Sequence, residues 1–65
     1  MKVGDFVAHS YLHENQIGRI MMIGHFDAIC YINWGSMVTT DHSIAYVIPV
    51  QMTDSEKMLW ILENS

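Results

Sequence analysis

Phe26-Asp27-Ala28-Ile29-Cys30-Tyr31-Ile32-Asn33-Trp34 is the stretch that decides the fold. Apolar side chains recur at every second position, and this spacing places them on one face of a β-strand. We therefore predict a strand whose core face is formed by the alternate residues of the stretch, namely Phe26, Ala28, Cys30, Ile32 and Trp34. Turn residues follow it at 33–36.

Two further strands are predicted on the N-terminal side of this stretch. Phe6-Val7-Ala8 follows the turn signal Gly4-Asp5, and residues 17–23 form a second apolar run. Gly18 within that run indicates a bulge or a bend, because a residue without a Cβ lets the backbone curl tightly. Residues 10–16 between the two strands show no period and are interpreted as a loop.

On the C-terminal side, residues 37–40 predict a fourth strand, rich in β-branched side chains and ended by Asp41-His42-Ser43. Ile44-Ala45-Tyr46 is interpreted as a tight turn, and residues 47–50 as a fifth strand. Pro49 cannot donate a backbone hydrogen bond, so we expect the fifth strand at an edge of the sheet.

The last dozen residues change from a period of two to a helical period. Thr53-Asp54-Ser55-Glu56 fits a capping box, and residues 57–63 predict a short helix, with the helical segment as a whole at 53–64. Successive residues lie 100° apart on a helix, which groups Met58, Leu59, Ile61 and Leu62 as the stripe expected to face the core. Trp60 falls outside that stripe, and the alternative is a helix rolled so that Trp60 is buried and Leu59 faces water.

Length and composition exclude several classes of protein. The chain has 65 residues, of which 51% are hydrophobic and 15% charged, with a formal net charge of -4. This composition excludes a disordered chain, and no apolar run has the roughly 18 residues of a membrane span. The start of the chain argues against a secretory signal, because Gly4 and Asp5 stand where an apolar segment would begin after Met1-Lys2. Cys30 is the single cysteine, which excludes an internal disulfide. We expect one domain over residues 1–65, located in the cytoplasm.

The β-segments together resemble a known class of small barrels. They are similar to the SH3-like barrels of the KOW and Tudor kind at four places. These are Val3-Gly4-Asp5-x-Val7, Gly18-x-Ile20-x-x-Ile23, Trp34-Gly35 and the run from His42-Ser43-Ile44 to Val47-Ile48-Pro49-Val50. The resemblance covers residues 3–50 and implies a five-stranded SH3-like barrel. With the C-terminal α-helix, which lies outside the resemblance, the predicted fold class is mainly β, a five-stranded SH3-like barrel with a short C-terminal α-helix.

That resemblance implies two ligands, RNA or a methylated peptide. A nucleic-acid surface needs cations, and the chain has three, Lys2, Arg19 and Lys57, against seven acids, so a KOW-like nucleic-acid-associated regulatory barrel is the alternative rather than the main hypothesis. An aromatic cage for methylated lysine or arginine would need converging rings, for which the residues available are Tyr11, Tyr31, Trp34 and Tyr46.

Metal binding and catalysis are not predicted. His9 and His13 have ligand spacing only on a helix, and the segment between them does not have a helical pattern. Cys30 on an apolar face is interpreted as a small buried side chain, and adjacent His42 and Ser43 do not define a catalytic triad. We therefore predict no enzyme activity, no cofactor and no metal.

The remaining hypothesis is a protein–protein interaction module. Two Trp, three Tyr, two Phe and six Met are a large apolar content for a core of this size. Trp60, outside the helix stripe, and the loop pair Tyr11 and Leu12 are the predicted partner-binding residues. We expect a protein partner, with a homodimer as an alternative. Small acidic proteins of this style resemble bacterial or phage accessory proteins that inhibit or recruit a host protein.

Overall fold

The computed structural model describes residues 1–12, 16–35 and 38–64. Its elements are, in chain order, β1 (Phe6–His9), β2 (Gly18–Gly24), β3 (Ile29–Asn33), β4 (Thr39–Ser43), a 3-10 turn (Ile44–Tyr46), β5 (Val47–Pro49) and α1 (Asp54–Glu63). Predicted positions at 13–15 and 36–37, which include His13 and Met37, lie outside the described residues. Within the part of the chain that is described, no helix has the length and apolar content needed to cross a membrane.

All five strands form one antiparallel sheet with the order β4-β3-β2-β1-β5. The predicted fold class, mainly β with a C-terminal helix, is therefore confirmed. The edge position of β5 is also confirmed, since it pairs with β1 alone. β4 and β5 are the two ends of the sheet and are not paired with each other, so the sheet is not closed.

The sheet is nevertheless strongly curled. His9 on β1 and His42 on β4 are separated by two strands in the sheet, yet their ring centroids lie 4.6 Å apart. A register shift between Ile20 and Met22 places a bulge in β2, two residues later than the Gly18 bulge that the sequence predicts. Gly18 instead allows the backbone of β2 to lie close to core side chains. A Cβ at this position would lie 2.8 Å from Cε3 of Trp34 and closer still to Ile32.

The core lies on one face of the sheet. Cys30, Ile32 and Trp34 are buried as the alternation predicts, and the cluster is completed by Val7, Ile20 and Val47. Phe6 is also buried but is outside this cluster, since it follows the opposite parity along β1. The second face of the sheet therefore has an apolar position of its own, and α1 packs there.

The prediction that Phe26 and Ala28 belong to the core face is wrong. Residues 25–28 form the turn between β2 and β3, closed by the Ala28 N–H donating to the His25 carbonyl at 3.1 Å. His25, Phe26 and Asp27 have φ angles of 52°, 57° and 66°, and the Phe26 side chain is fully exposed. Pairing of Gly24 with Ile29 leaves these four residues to reverse the chain, so hairpin geometry overrides the apolar pattern.

The predicted end of the fourth strand is also wrong. Asp41-His42-Ser43 continues β4 instead of breaking it, and these residues pair with Tyr31, Cys30 and Ile29 of β3. His42 lies on the core side, where its Nε2 is 2.7 Å from the Thr40 hydroxyl. The following tight turn at Ile44–Tyr46 is confirmed, and the Ser43 side chain caps it by accepting from the Ala45 N–H.

Candidate protein-interaction surface

The helix begins as the sequence predicts but faces the other way. The Thr53 hydroxyl accepts from the Glu56 N–H at 3.2 Å and the Glu56 carboxylate accepts from the Thr53 N–H at 2.9 Å, which confirms the capping box. Met58, Leu59, Ile61 and Leu62 are all exposed, however, so the predicted core-facing stripe is wrong.

Trp60 is the side chain that attaches α1 to the sheet. Its ring packs edge-on against Phe6, with centroids 5.3 Å apart and an interplanar angle of 77°. Its indole Nε1–H donates to the Ile17 carbonyl at 2.8 Å. An indole has a large apolar area and one donor that needs a partner when it is covered, and this position supplies both. The packing of half-buried Trp60 therefore decides which side of the helix meets the sheet.

The consequence is an apolar ridge that faces solvent, which we call the helix ridge: Met58, Leu59 and Leu62. These side chains are 62%, 56% and 69% exposed. At 100° per residue they lie within an arc of about 100° on the side opposite Trp60. Three of the ten helical residues thus have apolar side chains that are more than half exposed on this side of the helix.

Charged groups around α1 are divided between the ridge side and the sheet side. The helix contains three acids, Asp54, Glu56 and Glu63, and all three are exposed. Lys57 is its only base and lines a groove of about 440 Å³ beside the sheet, together with Asp5 and Phe6. Thr53 donates its backbone N–H to Glu56, and this hydrogen bond holds the pKa of the Glu56 carboxyl below its ordinary value, with the Thr53 side chain adding to the effect. Lys57 is exposed as well, but it projects about 150° from the middle of the ridge, so the ridge itself is bordered by acids.

A smaller notch of about 170 Å³ lies where α1 meets β2 and β3. It is lined by Arg19, Met21, Asn33, Trp60, Ile61 and Asn64. The Arg19 guanidinium carbon is 5.9 Å from the centroid of the Phe6 ring, and the buried Arg19 Nε has no hydrogen-bond partner among the described residues. Arg19 thus lies against the Phe6–Trp60 contact rather than on a basic surface.

Tyr11 and Leu12 lie in a second exposed surface, which we call the tyrosine patch: Tyr11, Leu12 and Tyr46. The Tyr11 and Tyr46 rings are 5.5 Å apart and meet edge to face. His9 positions the loop, because its Nδ1 accepts from the backbone N–H groups of both Tyr11 and Leu12 at 3.0 Å. The role of Tyr11 and Leu12 in partner binding, like that of Trp60, stays a prediction.

The four aromatic residues considered for a methyl-lysine cage are not brought together. Tyr11 and Tyr46 are in contact, but Trp34 is buried and donates its Nε1–H to the Thr40 hydroxyl at 2.8 Å. Tyr31 alternates with buried Cys30 and Ile32, so it lies on the opposite face of β3. Within the described residues, these four rings therefore do not converge into the predicted cage.

The cysteine is placed for packing. Cys30 is fully buried, and its Sγ–H lies 3.6 Å from the His42 carbonyl that accepts it. Burial raises the pKa of the Cys30 thiol, although a hydrogen bond from the backbone of Cys30 itself acts in the opposite direction. A thiolate nucleophile is therefore disfavoured at this position. Within the ranges that the structure describes, no three His, Cys, Asp or Glu side chains are grouped to hold a metal ion.

The main sequence-based prediction assigned the ridge residues to the core, whereas its alternative, a helix rolled to bury Trp60 and expose Leu59, agrees with the structure. The available signal was Trp60 itself, the largest side chain of the helix and the only one there with an indole donor. Comparison with known proteins adds no further constraint: the chain matches no protein-family model, no curated protein and no solved structure.

Proposed function

We propose that this protein is a non-enzymatic interaction module that binds a partner protein through the helix ridge. The observation that carries the proposal is the orientation of α1, with Trp60 against the sheet and Met58, Leu59 and Leu62 exposed. Full burial of a Leu or Met side chain is worth about 1.5–3 kcal/mol, so a partner that covers three of them gains substantial binding energy. A second copy of the chain is the alternative partner.

The predicted contact residues divide into two groups under this proposal. Trp60 acts indirectly, because it holds the helix in the orientation that exposes the ridge. Tyr11 and Leu12 form a second contact area within the tyrosine patch, and their aromatic and aliphatic character suits a protein interface. We propose that the module is a bacterial or phage accessory protein that inhibits or recruits a host protein.

The SH3-like description of residues 3–50 belongs to the same proposal. It is supported by the strongly curled, five-stranded antiparallel sheet. A KOW-like role in nucleic-acid binding has less support. Arg19 lies over the Phe6 ring and Lys57 lines the groove beside Asp5, so these two cations do not form a phosphate-binding surface.

Leu59→Gln tests the proposal. The substitution keeps the helix, because Gln and Leu have similar helix propensities, and it removes apolar surface from the centre of the ridge. Ile48→Gln is the matched control, since Ile48 on β5 is 50% exposed and Leu59 is 56% exposed. We expect Leu59→Gln to lower binding by at least about tenfold, the effect of losing 1.4 kcal/mol.

The measurement is capture of proteins from the source cells by tagged wild-type and variant chains, quantified by mass spectrometry. Sedimentation of the purified chain measures self-association in parallel, and circular dichroism verifies that each variant is folded. Equal recovery of every protein by wild type and Leu59→Gln, with unchanged self-association, would refute the ridge as the binding surface.

A further inference from the structure

The spacing of the exposed residues on α1 matches one mode of helix recognition. Counted from Ser55, the apolar residues Met58, Leu59 and Leu62 stand at positions i+3, i+4 and i+7, which are three of the four anchor positions of a helix that lies in an apolar groove of its partner. All four are exposed and lie on the side of the helix away from the sheet. The apolar side of α1 therefore faces away from the sheet, as it does in a helix that inserts into the groove of another protein.

Two carboxylates border this row. Asp54 projects about 40° from Met58 on one side of the ridge, and Glu63 projects about 40° from Leu59 on the other side. They are nine residues apart in sequence, so they are separated by about 13 Å along the helix axis. Lys57, the only base of α1, lies in the groove beside the sheet and does not neutralise the ridge.

We propose, resting on the function proposed above, that the ridge docks into an apolar groove of a different protein whose rim carries Lys or Arg. Two such cations, on opposite walls and about 13 Å apart along the groove, would face Asp54 and Glu63. A second copy of this chain does not fit this description. A pair of facing ridges would place four carboxylates, Asp54 and Glu63 of each copy, around one interface, and each chain has a net charge of -4.

The experiment uses the purified full-length chain with benzoylphenylalanine in place of Leu62, irradiated in a lysate of the source cells. Cross-linked peptides are sequenced to identify what covers the ridge. We expect a cross-link to a protein other than this chain, at apolar residues with Lys or Arg beside them. We also expect the yield to fall as salt rises from about 0.05 to 0.3 M, because salt screens the rim contacts.

Glu63→Lys in the same cross-linking chain tests the charge of the rim. A Lys in the last turn is favourable to the helix dipole, so this reversal does not weaken the helix. Asp41→Lys on β4 is the control, since Asp41 is also exposed and the substitution changes the net charge equally. We expect Glu63→Lys to lower the cross-linking yield by at least about fivefold and Asp41→Lys to change it little.

The outcomes separate this inference from the proposed function. If Leu59→Gln abolishes the cross-link but Glu63→Lys leaves it unchanged, the ridge binds a partner and the basic rim is refuted. If Leu59→Gln leaves the cross-link unchanged, the ridge itself is refuted as the binding surface. A cross-link to a second copy overturns the inference while leaving an interaction module in place, and absence of any cross-link overturns both.

Discussion

His9 connects the end of β1 to the tyrosine patch through a single ring nitrogen. Its Nδ1 accepts hydrogen bonds from two consecutive backbone N–H groups, those of Tyr11 and Leu12, so this nitrogen carries no proton in the structure. The ring also packs against His42, with 4.6 Å between centroids. One side chain thus serves both the curl of the sheet and the conformation of the exposed loop.

Replacing His9 with Phe keeps an aromatic ring and removes the acceptor. We expect the amide hydrogens of Tyr11 and Leu12 to exchange about fivefold faster, since a hydrogen bond contributes about 1 kcal/mol. Hydrogen exchange followed by NMR measures this directly, with the amide of core residue Val7 as the internal control. Unchanged exchange at Tyr11 and Leu12 would show that His9 does not hold the loop.

At the scale of the element, the capping box gives α1 a dependence on pH. Hydrogen bonds from Thr53 hold the pKa of Glu56 below its ordinary value, so the ionised carboxylate stabilises the folded helix. This contribution is present above the ordinary pKa of Glu and is lost as the pH falls through the lowered one. We expect the helical circular dichroism signal of the wild type to decrease on acidification below about pH 4.

The matched variants are Glu56→Gln and Glu63→Gln, at the two ends of the same helix. Gln at position 56 keeps an acceptor for the Thr53 N–H but has no charge to lose, so its helix signal should vary less with pH than that of the wild type. Glu63→Gln should follow the wild-type curve. Identical curves for the wild type and Glu56→Gln would contradict the role of the carboxylate.

The elements themselves were largely predictable, since alternation identified Cys30, Ile32 and Trp34 as core and the capping box identified the start of α1. Their limits and orientation were not. Phe26 continues the alternating pattern beyond the point where the hairpin must turn. The side of α1 that meets the sheet depends on the Ile17 carbonyl, 43 residues before Trp60, and a local period contains no such information.

At the scale of the whole molecule, net charge opposes contact between exposed apolar surfaces. The chain has a net charge of -4 at pH 7 and an isoelectric point of about 5.3. Repulsion between molecules is therefore weakest near that pH, where the helix ridge and the tyrosine patch are free to associate. We expect light scattering of the purified protein to rise to a maximum near pH 5.3.

The same pair of variants assigns that association to a surface. Leu59→Gln should reduce the scattering maximum more than Ile48→Gln, because only the first substitution interrupts the ridge. Constant scattering of the wild type between pH 5 and 8 would contradict the prediction. Equal reduction by both variants would instead mean that apolar surface in general, and not the ridge, drives the association.

The bulge in β2 determines where oxidative damage falls on this protein. By displacing the register after Ile20, it leaves both Met21 and Met22 on the outside of the sheet, and the described core contains no methionine. Oxidation to the sulfoxide makes a flexible apolar side chain polar. Peroxide would therefore reach Met21, Met22 and Met58 without opening the core, and one of the three apolar side chains of the ridge, Met58, would become polar while the fold stayed intact.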